Sequence, residues 1–259
     1  MHLIDRYAYT NRLRSVDPAQ KFALALTALL LCLILDRPLV GALVVAWMWG
    51  LSIFAGVPKR VLGHTLLAEA AFLALAVIGV AVSVSSSPPN AEWQTPLGSL
   101  WLSASASSVD TALRLLTRAL GGAAAMNWLA LTTPLIDLID LLRRLRVPLV
   151  LIDLMTLIYR FIFTLLDSLD RMRVAQDNRL GYVNFRRGLH SAAQLASRLF
   201  IETYLRSRRL QVALEGRGYA GDLRVLPHTY RTWPGLYALG VTMASSLIAI
   251  SLIAIRVGL

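Results

Sequence analysis

Two arginines at the ends of predicted helices could bind a partner protein. Arg179 is followed by Leu-Gly-Tyr and Arg217 by Gly-Tyr, so both contexts contain a helix, an arginine, a glycine and an aromatic residue. A guanidinium group at an exposed helix end can enter a groove and bind carboxylate or carbonyl oxygens through its planar fork. Cations late in a helix also simply complement the helix dipole. The spacing alone leaves both interpretations open.

A second set of charged residues lies along one long apolar segment. Asp153, Asp167 and Asp170 could form a proton or cation path, because carboxylates inside a membrane often do so. The same spacing allows ion pairs on one helix face, Asp167 with Arg171 at i+4 and Asp153 with Arg160 two turns on. We favour the pairing.

Familiar signatures of catalysis and metal binding do not occur in the sequence. There is no G-x-x-x-x-G-K-[ST] loop for ATP, no H-E-x-x-H and no G-x-S-x-G. The single Cys32 excludes an internal disulfide and a cysteine-based zinc site. The four histidines are too scattered to suggest ligand spacing. We therefore predict no catalytic residue, no metal site and no cofactor.

The composition indicates a membrane protein. The chain has 259 residues, of which 56% are hydrophobic and 16% charged, against about 25% charged in soluble domains. The net charge is +11, which by itself could suggest nucleic acid. Here the cations flank long uncharged apolar runs, and this combination is typical of a membrane protein with positive cytoplasmic segments. We therefore expect a lipid bilayer around the chain and no nucleic-acid partner.

Five apolar runs are predicted to span the membrane. Cations lie before the first run and between the second and third runs, whereas residues 85–108 contain none. The positive-inside rule therefore places the N-terminus in the cytoplasm and residues 85–108 outside, and the C-terminus also falls outside. The predicted spans are residues 22–35, 39–57, 65–84, 110–131 and 236–255.

The segment between the fourth and fifth spans is rich in arginine, with sixteen arginines against nine acidic residues from Pro134 to Thr232. Three helices are predicted in this segment. Thr133 is expected to cap the first of these helices, and Pro134 is expected to be its first residue. The second carries a narrow polar stripe and is expected to lie along the cytoplasmic side; a spanning helix with its stripe turned inward is the alternative. The predicted helices cover residues 134–146, 149–180 and 188–216.

The fold prediction is an all-α membrane protein with about five transmembrane helices and a cytoplasmic coupling domain of about three helices. Its parts are an N-terminal transmembrane region of four spans, the coupling helices, and a C-terminal transmembrane helix. They cover residues 1–132, 133–232 and 233–259.

Short motifs spread along the chain carry a family resemblance. They are Y-A-Y-T-N-R at 7–12, D-P-A-Q-K at 17–21, T-T-P at 132–134, L-L-R-R-L-R-V-P at 141–148, and the two arginine-bearing helix ends. Together they resemble the transmembrane T component of energy-coupling factor (ECF) transporters, EcfT, and the opening run points to its cobalt-type CbiQ branch. One departure is that Asn178 precedes Arg179, where the family usually has Ala or Gly.

The resemblance implies a scaffold that transmits motion. In that family two ABC ATPases bind the T component through the arginine motifs. A substrate-binding membrane subunit packs against the T component and changes orientation or conformation as ATP is hydrolysed, sometimes with a small accessory membrane subunit. The implied location is the bacterial inner membrane. The ATPase-docking residues carried over are Asn178, Arg179, Leu180, Gly216, Arg217 and Gly218.

Two functional hypotheses follow. The first is the energy-coupling transmembrane subunit of a cobalt importer, with ATP hydrolysis in partner subunits. The alternative is a self-contained membrane enzyme whose site contains Asp153, Arg160 and Asp167. It predicts activity from the purified single chain.

Overall fold

Helices account for most of the molecule. The computed structural model describes residues 3–81, 83–85, 93–97, 100–219, 221 and 229–257. The prediction of a helical membrane protein is confirmed. The described helices are α1 (Leu3–Thr10), α2 (Pro18–Leu35), α3 (Pro38–Phe54), α4 (Lys59–Ala81), α5 (Ala106–Thr132), α6 (Leu135–Arg144), α7 (Leu149–Asp177), α8 (Phe185–Glu215) and α9 (Pro234–Val257).

A small antiparallel sheet follows α4, in residues predicted as the end of the third span and the loop after it. Its strands are β1 (Ser83–Ser85), β2 (Trp93–Leu97) and β3 (Leu100–Ala104), in the order β1-β3-β2. Ser83 pairs with Ser103 and Trp93 with Ala104. Strands of three to five residues are too short for hydrophobic alternation to reveal them, so the sequence analysis missed them.

Several helices begin about one turn before the apolar runs that predict them, because polar residues cap their first turns. α2 begins after Asp17, whose carboxylate accepts a hydrogen bond from the Ala19 N–H at 3.0 Å. α5 begins after Ser105, whose hydroxyl oxygen accepts one from the Ser108 N–H at 3.2 Å. The predicted capping of α6 by Thr133 is wrong: this residue is the C-cap of α5, and its buried hydroxyl has no hydrogen-bond partner.

Among the described residues, four helices are long and apolar enough to cross a membrane, namely α2, α4, α7 and α9, and a fifth span results if α5 is counted together with α6. The total agrees with the predicted five. The membership differs, since α3 has only 17 residues, the lower limit for spanning. α7 qualifies by length and composition, which is the alternative that the sequence analysis left open.

The chain folds as two units, and the first contains residues 2–134 and 229–259. α5 lies at its centre and packs against α2, α3 and α4. α5 approaches its neighbours closely at two glycines. A Cβ on Gly41 of α3 would lie 2.4 Å from the Thr117 carbonyl oxygen of α5, and one on Gly121 of α5 would lie 2.6 Å from Cys32 Sγ of α2. The indole of Trp128 is fully buried in this core.

The second unit contains residues 135–228 and is built from α6, α7 and α8. α7 packs against both other helices. Ser191 is the one buried residue among the 31 of α8, which is described throughout. The assignment of this unit to the cytoplasm stays a prediction.

Candidate functional site

Arg179 lies in the turn that follows α7, and it is exposed. The N–H groups of Arg179 and Gly181 both donate to the Gln176 carbonyl, at 3.1 and 2.9 Å. The Leu180 N–H donates to the Asp177 carbonyl at 2.9 Å, and Leu180 itself adopts a left-handed conformation with φ +58°. Such a residue ends a helix by turning the chain back on its last carbonyls. We call residues 178–181 the Arg179 tip.

The turn that follows α8 has the same construction. The N–H groups of Arg217 and Tyr219 both donate to the Leu214 carbonyl at 3.0 Å. The Gly218 N–H donates to the Glu215 carbonyl at 3.0 Å, and Gly218 has φ +76°. Residues 216–219 form the Arg217 tip.

The two tips therefore align position by position. Arg179 matches Arg217, and each directly precedes the left-handed residue. The sequence pattern pairs Gly181 with Gly218, but the backbone pairs Leu180 with Gly218. A left-handed conformation costs a residue with a side chain about 1–2 kcal/mol. The first tip thus reaches the geometry of the second despite having leucine where glycine is favoured.

The six residues predicted to dock a partner are all exposed in this chain. Within the part that the structure describes, neither guanidinium forms a hydrogen bond or an ion pair. Neither therefore donates to the carbonyl groups at its helix end. Leu180 is 65% exposed and extends the surface of the Arg179 tip.

Polar contacts hold α7 and α8 side by side in opposite directions. The Ser168 hydroxyl donates to a Glu202 carboxylate oxygen at 3.0 Å near the middle. At one end, the Tyr219 hydroxyl donates to the buried Asp153 carboxylate at 3.1 Å. At the other end, α7 and α8 are joined through Ser191. Because α8 has 31 residues at about 1.5 Å each, the two tips lie about 45 Å apart.

Close packing fixes the base of the Arg179 tip. The Gln176 side-chain amide donates to the Ser191 carbonyl at 3.0 Å and its oxygen accepts from the Tyr182 hydroxyl at 2.7 Å. The Ser191 hydroxyl donates to the Gly181 carbonyl at 2.9 Å. A Cβ on Gly181 would lie 2.8 Å from Ser191 Oγ and 2.9 Å from the Gln176 carbonyl oxygen. Only glycine fits there without a shift.

The charged stripe of α7 does not form one site. Arg171 donates to the Ser168 hydroxyl at 3.0 Å, and the predicted ion pair with Asp167 is wrong for these described residues. Asp153 and Asp167 are fourteen residues apart, which is about 21 Å along a helix. One reacting group could not touch both carboxylates. No cluster of three or more metal-ligating side chains occurs among the described residues.

One polar group that the sequence analysis assigned no role lies in the first unit. Lys21, part of the D-P-A-Q-K run, is fully buried, and its ammonium group donates to the Thr132 carbonyl at 3.1 Å. A lysine in the first turn of an apolar helix was the only local signal. Its partner lies 111 residues away, so no sequence pattern indicates the contact.

The fold and the two tips define a class: an integral, multi-pass helical membrane protein that carries a further helical unit with an exposed arginine at each of the two tips. Comparison with known families supplies the particular family. Residues 10–229 match the family model CbiQ, described as cobalt transport protein. The chain belongs to this family and is a membrane component of the cobalt transport type.

Individual relatives agree with this assignment. The cobalt transport protein CbiQ of Rhodobacter capsulatus is 32% identical, over 95% of this chain and 96% of the relative. That of Salmonella typhimurium is 30% identical, over 86% of this chain and 99% of the relative. The energy-coupling factor transporter transmembrane protein EcfT of Staphylococcus aureus is 32% identical over 44% of this chain and 47% of its own length. The predicted resemblance is thereby confirmed.

Proposed function

We propose that this chain is the energy-coupling transmembrane subunit of an ECF-type importer for cobalt ions. It links ATP hydrolysis by two partner ABC ATPases to a substrate-binding membrane subunit. Cobalt is proposed because relatives that match nearly the whole chain are named cobalt transport proteins. The chain itself contributes no chemistry to ATP hydrolysis.

The observation that carries the proposal is the repetition of one arginine geometry. Arg179 and Arg217 occupy equivalent positions in two turns with the same hydrogen bonds, and both are exposed. Two like projections suit two like grooves, as the two copies of an ATPase dimer would provide. The separation of about 45 Å, from 31 residues of helix, is large enough for each tip to meet a different subunit.

The ligand chemistry follows from the guanidinium group. Its planar fork pairs with carboxylates by two parallel hydrogen bonds. Both tips lie at helix C-termini, where the helix dipole is negative and favours a nearby cation. Acidic grooves on the ATPases are therefore the proposed partners of Arg179 and Arg217.

Charge reversal at both tips tests the proposal. The double variant Arg179→Glu with Arg217→Glu is expected to lose copurification of the ATPases and cobalt uptake, while its yield from membranes stays unchanged. The matched control is a second double variant, Arg173→Glu with Arg208→Glu. It makes the same change in charge at two exposed arginines outside the tips. Normal ATPase binding and uptake by the tip variant would defeat the proposal. An equal loss in the control would show that overall charge, rather than the tips, holds the partners.

The substrate ion is tested separately. Uptake of labelled cobalt by cells that contain the full transporter should fall when the gene for this chain is deleted. An excess of unlabelled nickel should compete weakly. Strong competition by nickel together with weak cobalt uptake would make nickel the substrate instead of cobalt. The proposed coupling role would be unaffected.

A further inference from the structure

One segment near the N-terminus contacts both points at which the chain passes between its two units. The chain leaves the first unit after Pro134 and returns to it at Thr229. Thr132 ends α5 just before the exit, and Trp233 immediately precedes α9 after the return. Residues 11–21 bind both places, and we call this segment the junction clamp.

The exit is held by two side chains of the clamp. Lys21 Nζ and Asn11 Nδ2 both donate to the Thr132 carbonyl oxygen at 3.1 Å. This carbonyl lies at a helix C-terminus, where no further helical N–H is available to it. The negative end of the α5 dipole also favours the lysine cation. Lys21 and Thr132 are both 0% exposed, so this contact is made without competition from water.

The return is held by the same segment. The Asp17 N–H donates to the Arg231 carbonyl at 3.1 Å, and the Arg231 N–H donates to the Ser15 carbonyl at 2.8 Å. The Trp233 N–H donates to Gln20 Oε1 at 3.0 Å, and Gln20 is 4% exposed. Gln20 and Lys21 are neighbours in α2, so one residue holds the return and the next holds the exit.

Two buried polar atoms at the held points could support a second set of hydrogen bonds. Gln20 Nε2 and the Thr133 hydroxyl are buried without a hydrogen-bond partner. A buried polar group without a hydrogen-bond partner is unfavourable. A spare donor and a spare hydroxyl at the two held points allow bonds to be exchanged if the connecting segments shift.

We infer that Lys21 and Gln20 are positioning residues for energy transfer. Lys21 and Gln20 bind the exit and the return at adjacent positions of α2. A displacement of either connecting segment therefore moves α2, α5 and α9 together. This inference rests on the proposed function, because it needs a motion driven by ATP hydrolysis in residues 135–228. The clamp is not required for the ATPases to bind.

The test uses the complete transporter in vesicles, with ATPases and substrate-binding subunit present. Lys21→Met and Gln20→Met keep much of each side chain's volume and remove one held contact each. ATPase copurification and ATP hydrolysis should stay close to those of the unaltered protein. Cobalt uptake per ATP should fall about tenfold, within the range for loss of a typical coupling free energy between sites. Lys59→Met, at the exposed start of α4, is the control and should change nothing.

Each other outcome contradicts the inference. Normal uptake per ATP in both variants would mean that the clamp transmits nothing. A loss of ATPase copurification or of protein yield in both variants would mean that the clamp serves folding alone. A fall of ATP hydrolysis in proportion to cobalt uptake would also exclude a coupling role. If the unaltered chain fails to copurify ATPases, the proposed function is wrong, and the clamp's role falls with it. The unaltered chain thus separates the two failures.

Discussion

The two arginine tips have the same backbone but are stabilised in different ways. The Arg179 tip is packed from below, where Gly181 lies against α8 with no room for a side chain. At the Arg217 tip, the Tyr219 hydroxyl donates a hydrogen bond to the Asp153 carboxylate of α7. The two turns therefore share their backbone hydrogen bonds and the position of the arginine, but not the side chains that stabilise them.

The tips also differ at their left-handed residue. Gly218 adopts φ +76° without steric cost, whereas Leu180 adopts φ +58° with a side chain that is 65% exposed. The Arg179 tip thus combines a tightly packed base with a strained apex. The Arg217 tip has an unstrained apex and a base that is joined to α7 by the hydrogen bond from Tyr219 to Asp153. These contrasts can be tested one residue at a time.

The largest expected effect comes from removing either guanidinium. If both tips occupy equivalent acidic grooves, Arg179→Ala and Arg217→Ala should weaken ATPase binding equally, each by about 2–5 kcal/mol. That range corresponds to an affinity loss of about 30-fold to several thousand-fold. Titration of the purified ATPases against the detergent-solubilised chain measures it, with Arg208→Ala as control. An effect confined to one arginine would show that the tips are not equivalent.

The next effect concerns the anchor of the Arg217 tip. Tyr219→Phe removes the hydrogen bond to the Asp153 carboxylate and should lower the stability of the α7–α8 pair by about 1.5–3 kcal/mol. Chemical denaturation in detergent measures the change. Tyr182→Phe removes a bond between two neutral groups, to Gln176, and should cost about 0.5–1.5 kcal/mol. Equal losses of stability in the two variants would mean that the hydrogen bond to Asp153 stabilises the helix pair no more than a bond between neutral groups.

The base of the Arg179 tip gives a comparable or smaller effect. Gly181→Ala places a methyl group 2.8 Å from Ser191 Oγ and 2.9 Å from a backbone oxygen, and it should destabilise the pair by about 1–3 kcal/mol. Gly216→Ala is the matched control, because its nearest neighbour would be 3.4 Å away and its backbone is helical. A neutral result at Gly181 would show that α8 moves aside without cost.

Local patterns were sufficient to predict most helices. α6 has Asp137 in its first turn and Arg143 and Arg144 in its last, as the helix dipole prefers, and it was expected within two residues at each end. The α2–α3 break at Asp36-Arg37 was also expected, from the following proline. These signals lie within a few residues of the structures that they specify.

Features that depend on distant residues were not predictable. The junction clamp joins Gln20 to Trp233, which are 213 residues apart, and such a pair leaves no mark on the local sequence. The left-handed conformation of Leu180 was not predicted, because leucine is not a residue that favours it. Packing against Ser191 requires the glycine one position later. The docking role of the tips stays a prediction.

The smallest expected effect tests whether the Arg179 tip needs its leucine. Leu180→Gly removes a left-handed strain of about 1–2 kcal/mol but adds about 0.5–1 kcal/mol of backbone entropy to the unfolded chain. The stability of the unit should therefore rise by at most about 1.5 kcal/mol in chemical denaturation, the balance of these two terms. ATPase affinity should stay unchanged, because the arginine keeps its position. Lower affinity with higher stability would show instead that the exposed leucine itself contacts the partner, and the two tips would then share a backbone but not a mode of binding.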